Sequence, residues 1–116
     1  MKENILKEKS FHFALAVVRL SQFLISEKKE FVLSKQFLRS GTAIGALIRE
    51  AEYAQSRPDF ISKLHIALKE ANETEYWIEL LYAGGFVELD EYKEFLEANK
   101  ELLRMLISSI KTTKNP

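Results

Sequence analysis

The chain is 116 residues long, enough for a single domain over residues 1–116 with a core of its own. It contains no cysteine, which excludes disulfides, thiolate metal sites and thiol catalysis. Its 17 lysines and arginines are matched by 17 aspartates and glutamates, so no bulk charge draws it to nucleic acid or to an anionic membrane.

The opening residues, Met1-Lys2-Glu3-Asn4, provide neither an apolar signal core nor a small-residue cleavage site. The greasiest stretch, Phe11 to Ile25, is interrupted by His12, Arg19, Ser21 and Gln22. It falls short of the roughly 18 consecutive apolar residues of a membrane span. A cytoplasmic protein with no membrane association is expected.

Four segments show helical periodicity. The first runs from about Ser10, or earlier, to Lys28. At 100° per residue its polar side chains His12, Arg19, Gln22 and Ser26 share one arc of about 80° with Leu15. Apolar residues occupy most of the remaining circumference. An amphipathic surface helix needs an apolar stripe only somewhat wider than about 100°, so this helix has more than one face to bury. Phe13, Val17, Leu20 and Leu24 form one seam. Phe11, Val18 and Ile25 repeat every seven residues on a second stripe, which is expected to meet another copy of the chain.

The second segment begins near Ser34, an expected N-cap, and runs to about Gln55. Phe37, Gly41, Ile44, Ile48 and Ala51 keep the 4-3 spacing of a bundle seam. Gly41 and Gly45, each costing about 1 kcal/mol in a helix interior relative to alanine, mark a surface that another helix approaches closely. Lys35, Arg39 and Arg49 are the candidate nucleic-acid contacts, a patch whose simpler reading is a solvated face.

The third segment opens on Ser56-Arg57-Pro58-Asp59, with the spacing of a capping box and a proline tolerated in the first turn. Phe60, Leu64, Ala67, Ala71, Thr74, Ile78 and Leu81 hold a 4-3 alternation over three heptads, and Gly84-Gly85 supplies the left-handed residue that ends it. Glu70, Glu73, Glu75 and Glu79 lie off this seam, where they pair with lysines of neighbouring helices or stay solvated. The fourth segment starts at Asp90-Glu91, with a seam of Tyr92, Leu96, Asn99, Leu103, Leu106 and Ile110. No segment alternates with period two. The fold class expected is all-α, an antiparallel up-and-down four-helix bundle.

No catalytic, metal or cofactor site emerges. Di-metal bundles use Glu-x-x-His pairs, whereas His12 and His65 are preceded at that spacing by Lys9 and Ser62. Neither histidine lies in a triad motif, and no phosphate-cradling glycine loop is present. Residues 1–56 carry 9 basic and 6 acidic side chains and the remainder 8 and 11, an asymmetry of +3 against −3 that favours contact between one copy's front half and another's back half.

Gln36-Phe37-Leu38-Arg39-Ser40-Gly41-Thr42-Ala43-Ile44-Gly45 followed by Arg49-Glu50-Ala51 resembles the core motif of the bacterial four helix bundle protein family. That family is also called the intervening-sequence or ribosomal-protein-like family, because some members are encoded within insertions of large-subunit ribosomal RNA genes. The resemblance continues through Ser56, Asp59-Phe60, Lys63-Leu64, Ile66 to Ala71 and Glu73 to Trp77. It makes Arg39, Ser40, Gly41, Ile44, Gly45 and Glu50 family-motif residues. It implies an up-and-down bundle that forms a homopentameric ring. Relatives include the accessory variability protein of diversity-generating retroelements, a basic pentamer that binds reverse transcriptase and nucleic acid. Balanced charge separates the present chain from that relative. The reading that follows is a non-enzymatic, self-assembling interaction or scaffold protein whose partners are itself and an unidentified protein. The alternative is a nucleic-acid-associated accessory protein acting as an oligomer.

Overall fold

The computed structural model describes residues 2–115, which form four helices: α1 (Lys2–Ser26), α2 (Val32–Glu52), α3 (Arg57–Ala83) and α4 (Leu89–Lys114). Among the described residues there is no strand. Connections of five, four and five residues leave each helix no choice but to run back along its predecessor, which gives an up-and-down bundle measuring 46 × 22 × 20 Å. Packing follows chain order around the ring, α1 on α2, α2 on α3 and α3 on α4, closed by a sparser pairing of α1 with α4.

The seams account for the core. On α1, Leu6, Ser10, Phe13, Val17, Leu20 and Leu24 are buried at 4-3-4-3-4 spacing, so the helix begins well before Ser10 and ends two residues before Lys28. On α2, Phe37, Gly41, Ile44, Ile48 and Ala51 are buried as expected. On α3, Leu64, Ala67, Ala71, Thr74, Ile78 and Leu81 are buried, while Phe60 packs partly exposed against the same core. The α4 seam differs: Asn99, Leu102, Leu106 and Ile110 are buried, and Tyr92, Leu96 and Leu103 lie at its edge. Leu102 displaces Leu103 because α4 is rotated to aim Phe95 inward, where its ring meets Phe13 and Phe37 edge-on at 6.1 and 5.7 Å.

Helix ends follow local chemistry. Ser34 is not the N-cap of α2; it lies within the first turn, fully buried, and its hydroxyl donates to the Glu30 carbonyl at 2.7 Å. The first turn is capped instead by the Glu30 carboxylate, which accepts from the backbone N–H groups of Val32, Leu33 and Ser34 at 3.1, 3.1 and 2.7 Å. A negative group suits the positive end of a helix dipole. At its other end α2 stops at Glu52, short of Gln55.

The α3 start matches its motif. Ser56 Oγ accepts from Asp59 N at 3.2 Å, and Asp59 Oδ2 accepts from Gln55 N at 3.1 Å. The α3 C-terminus closes with Phe86 N donating to Leu81 O at 2.9 Å, a six-to-one bond that requires Gly85 at φ +81°.

Ser40, Thr74 and Asn99 also sit fully buried among these apolar layers. Thr74 Oγ1 lies 2.9 Å from Ser40 Oγ, tying α3 to α2. Asn99 Nδ2 donates to Ala71 O at 2.9 Å, tying α4 to α3, while Asn99 Oδ1 is buried with no hydrogen-bond partner.

Candidate functional site

The motif residues of α2 divide between its inner and outer faces. Ser40, Gly41 and Ile44 are buried, and Gly45 is partly buried. Both glycines face α1. A Cβ at Gly41 would lie 2.9 Å from the Cγ1 and Cγ2 atoms of Val17, so the two helices approach tightly here. A Cβ at Gly45 would lie 3.4 Å from the Ser10 carbonyl oxygen and hydroxyl, an ordinary contact distance.

Arg39 and Glu50 point outward. Arg39 spans two carboxylates of α3, with Nη1 3.2 Å from Glu70 Oε1 and Nη2 hydrogen-bonded to Glu73, which also accepts from Trp77 Nε1 at 2.9 Å. The hydrogen bond to Glu73, with the charges of Glu70 and Glu73, raises the guanidinium pKa against the opposing cost of burial. The bonds from Trp77 and Arg39 hold Glu73 below the usual carboxylate range. Glu50 pairs with Lys63 at 3.5 Å. Of the other α3 acids, Glu75 lies 3.7 Å from Lys100. The principal cation meeting the acidic run is therefore an arginine of α2, beyond the lysines anticipated.

The candidate nucleic-acid residues share the outer face of α2 without forming a free basic stripe. Arg39 is neutralised by Glu70 and Glu73. Arg49 lies across the Phe11 ring, its guanidinium carbon 5.5 Å from the centroid, within cation–π range. Lys35 is exposed and makes no salt bridge among the described residues.

On α1, the second apolar stripe lies outside the bundle core. Phe11 is 52% exposed and Ile25 41%, with Val18 half-buried between them and Leu15 exposed alongside. Phe11, Leu15 and Val18 share the outward side of α1, whereas Phe23 and Ile5, also exposed, lie toward α4.

Sequence reasoning missed a groove between α1 and α4. It encloses about 380 Å³ and is walled by Phe13 and Ala16 on one side and by Phe95, Ala98 and Leu102 on the other. Lys9, His12, Glu94 and Glu101 form its rim, and Lys9 reaches across to Glu101 at 3.3 Å. It exists because small alanines face each other where larger residues would close the seam. The only sequence signal was that pair, Ala16 and Ala98, in segments distant along the chain.

Among the described residues no group of three or more His, Cys, Asp or Glu side chains is arranged to hold a metal ion. Nor is any helix among them long and apolar enough to cross a membrane.

Known proteins resemble the chain in both sequence and structure. The model of the 23S rRNA-intervening sequence protein family matches residues 2–108. A crystal structure of a protein with unknown function from the S23 ribosomal protein family of Bacteroides thetaiotaomicron is 58% identical, with a TM-score of 0.94 over 96% of this chain and 99% of that one. No curated protein matches the chain.

Proposed function

From the premise that the chain belongs to the 23S rRNA-intervening sequence protein family, we propose that it is a non-enzymatic, self-assembling interaction protein of the cytoplasm. The observation that carries this reading is the apolar stripe of α1, where Phe11, Leu15 and Ile25 remain exposed after the four-helix core has closed. Contiguous apolar surface of this kind on a soluble chain marks an interaction site. A second copy is the partner always present. The ring size expected is five, and that number rests on the family resemblance alone.

The nucleic-acid reading is the weaker one. A phosphate-binding face draws its affinity from cations free to displace counterions. Of Lys35, Arg39 and Arg49, Arg39 is engaged by two carboxylates and Arg49 by an aromatic ring.

Light scattering coupled to size exclusion tests the proposal. The expected mass is about five times the 13.4 kDa of the chain, and a mass of 13.4 kDa at micromolar concentration rejects self-assembly. Val18→Asp is expected to dissociate the assembly while leaving the helical circular dichroism largely intact.

A further inference from the structure

Resting on the self-association reading, we infer that the chain assembles head to tail, with Phe11, Leu15 and Val18 of one copy seated in the α1–α4 groove of the next. The two surfaces lie on different sides of α1. The groove is walled by Phe13 and Ala16, and the stripe emerges on the flank nearer α2, where Arg49 lies against Phe11. One chain cannot bring its own stripe to its own groove, so a stripe-to-groove contact joins two copies through unlike surfaces.

Their dimensions agree. From Phe11 to Val18 a helix rises about 10 Å, and the α4 wall of the groove from Glu94 to Leu102 runs about 12 Å. The facing walls of Phe13 and Ala16 and of Phe95 and Ala98 are apolar, and the two alanines leave room between them for side chains of a neighbouring helix. A second copy supplies apolar side chains of matching reach, with Phe11 and Leu15 exposed and Val18 half-buried.

Charge sets the same pairing. The groove mouth adjoins the acidic start of α4, where Glu88 just before the helix and Asp90, Glu91 and Glu94 within it make no salt bridge among the described residues. Burial, and after it the neighbouring Glu94 and Glu88, raises the Glu91 pKa. The stripe carries cations of its own. Arg49 lies on Phe11, and Arg19 is exposed one residue beyond Val18. Docking stripe to groove brings these cations to that acidic mouth. Stripe-to-stripe pairing would instead set Arg19 and Arg49 against their own copies. A contact between unlike surfaces closes into a ring when its rotation permits.

Complementation between two broken chains tests the pairing. Leu15→Glu destroys the stripe and keeps the groove; Ala98→Trp fills the groove and keeps the stripe. Each variant alone is expected to be monomeric by light scattering. Their equimolar mixture is expected to give a particle of about twice 13.4 kDa, which grows no further because each chain has one surface left. Wild-type assembly combined with a monomeric mixture overturns the stripe-to-groove pairing and leaves self-assembly standing. A monomeric wild type overturns both.

The absence of native cysteine allows a second measurement that does not depend on the tryptophan variant folding. Chains carrying only Leu15→Cys and chains carrying only Ala98→Cys are mixed and mildly oxidised. The expected product is the mixed disulfide, many-fold over either self-linked species. Self-linked Leu15→Cys as the dominant product refutes the groove in favour of a symmetric stripe contact.

Discussion

Gly41 is the position where close approach can be weighed against helix propensity in a single substitution. Gly41→Ala gains about 1 kcal/mol by replacing the residue least suited to a helix interior. The new methyl meets two carbons of Val17 at 2.9 Å, against the 3.5–4.0 Å of a favourable carbon contact. Val17 cannot rotate away cheaply, because a β-branched side chain in a helix has one strongly preferred rotamer and this one is fully buried. Relief must come from moving α1 relative to α2, and overpacking of this kind costs about 1–3 kcal/mol. The net expectation is a loss of about 0–2 kcal/mol.

Gly45→Ala is the internal control. Its methyl would sit 3.4 Å from Ser10, so the propensity gain survives and the variant should be more stable by about 0.5–1 kcal/mol. Urea denaturation followed by far-ultraviolet circular dichroism, at one fixed protein concentration, measures both. Adding Val17→Ala should restore the gain to Gly41→Ala, a favourable coupling on the order of 1–2 kcal/mol. If Gly41→Ala stabilises as much as Gly45→Ala, the tight α1–α2 approach at Val17 is wrong.

Three further outcomes follow from named contacts. Glu30→Ala strips an acceptor from three N–H groups at the start of α2 and should cost about 1–2 kcal/mol in the same assay, with Glu30→Gln recovering part of it. Asn99→Leu removes a buried oxygen that has no partner and a donor to a carbonyl already inside a helix, so stability should hold or rise by up to about 2 kcal/mol; a loss beyond about 2 kcal/mol would mean the amide is fully satisfied. Glu73 is held below its unfolded pKa, so its contribution is present above the ordinary carboxylate range and disappears as pH falls through the folded value. The group is about one-third exposed, which limits the effect to under about 1 kcal/mol. Glu73→Gln should therefore be slightly less stable than wild type at neutral pH and indistinguishable in acid, and a difference independent of pH would contradict the assignment.

How much of this was legible beforehand depends on whether a feature is local. The α3 seam could be read residue by residue because Leu64, Ala71 and Thr74 have polar residues on both sides, which fixes the stripe that Ala67, Ile78 and Leu81 continue. On α4 the pairs Phe95-Leu96 and Leu102-Leu103 offer two adjacent stripes of equal hydrophobicity. Periodicity cannot separate them, and the choice falls to the rings of Phe13 and Phe37 that Phe95 meets across the bundle. At the start of α2, Ser34 satisfied the preference for a short capping side chain, but the longer Glu30 reaches the same N–H groups from before the helix begins. Arg39 could be recognised as a cation; its neutralisation could not, because Glu70 and Glu73 arrive from 31 and 34 residues away. The α1 stripe and the α1–α4 groove show the same contrast at the level of surfaces. Phe11, Val18 and Ile25 are too apolar for the polar arc of α1 and out of phase with Phe13, Val17, Leu20 and Leu24, so their exclusion from the core follows from spacing within one helix. The groove is a shortage of side-chain volume shared by Ala16 and Ala98, and a shortage has no period. It arises only when the first and last helices are set side by side, which is also where a closed ring of helices has its least constrained pairing, since no connecting loop joins them.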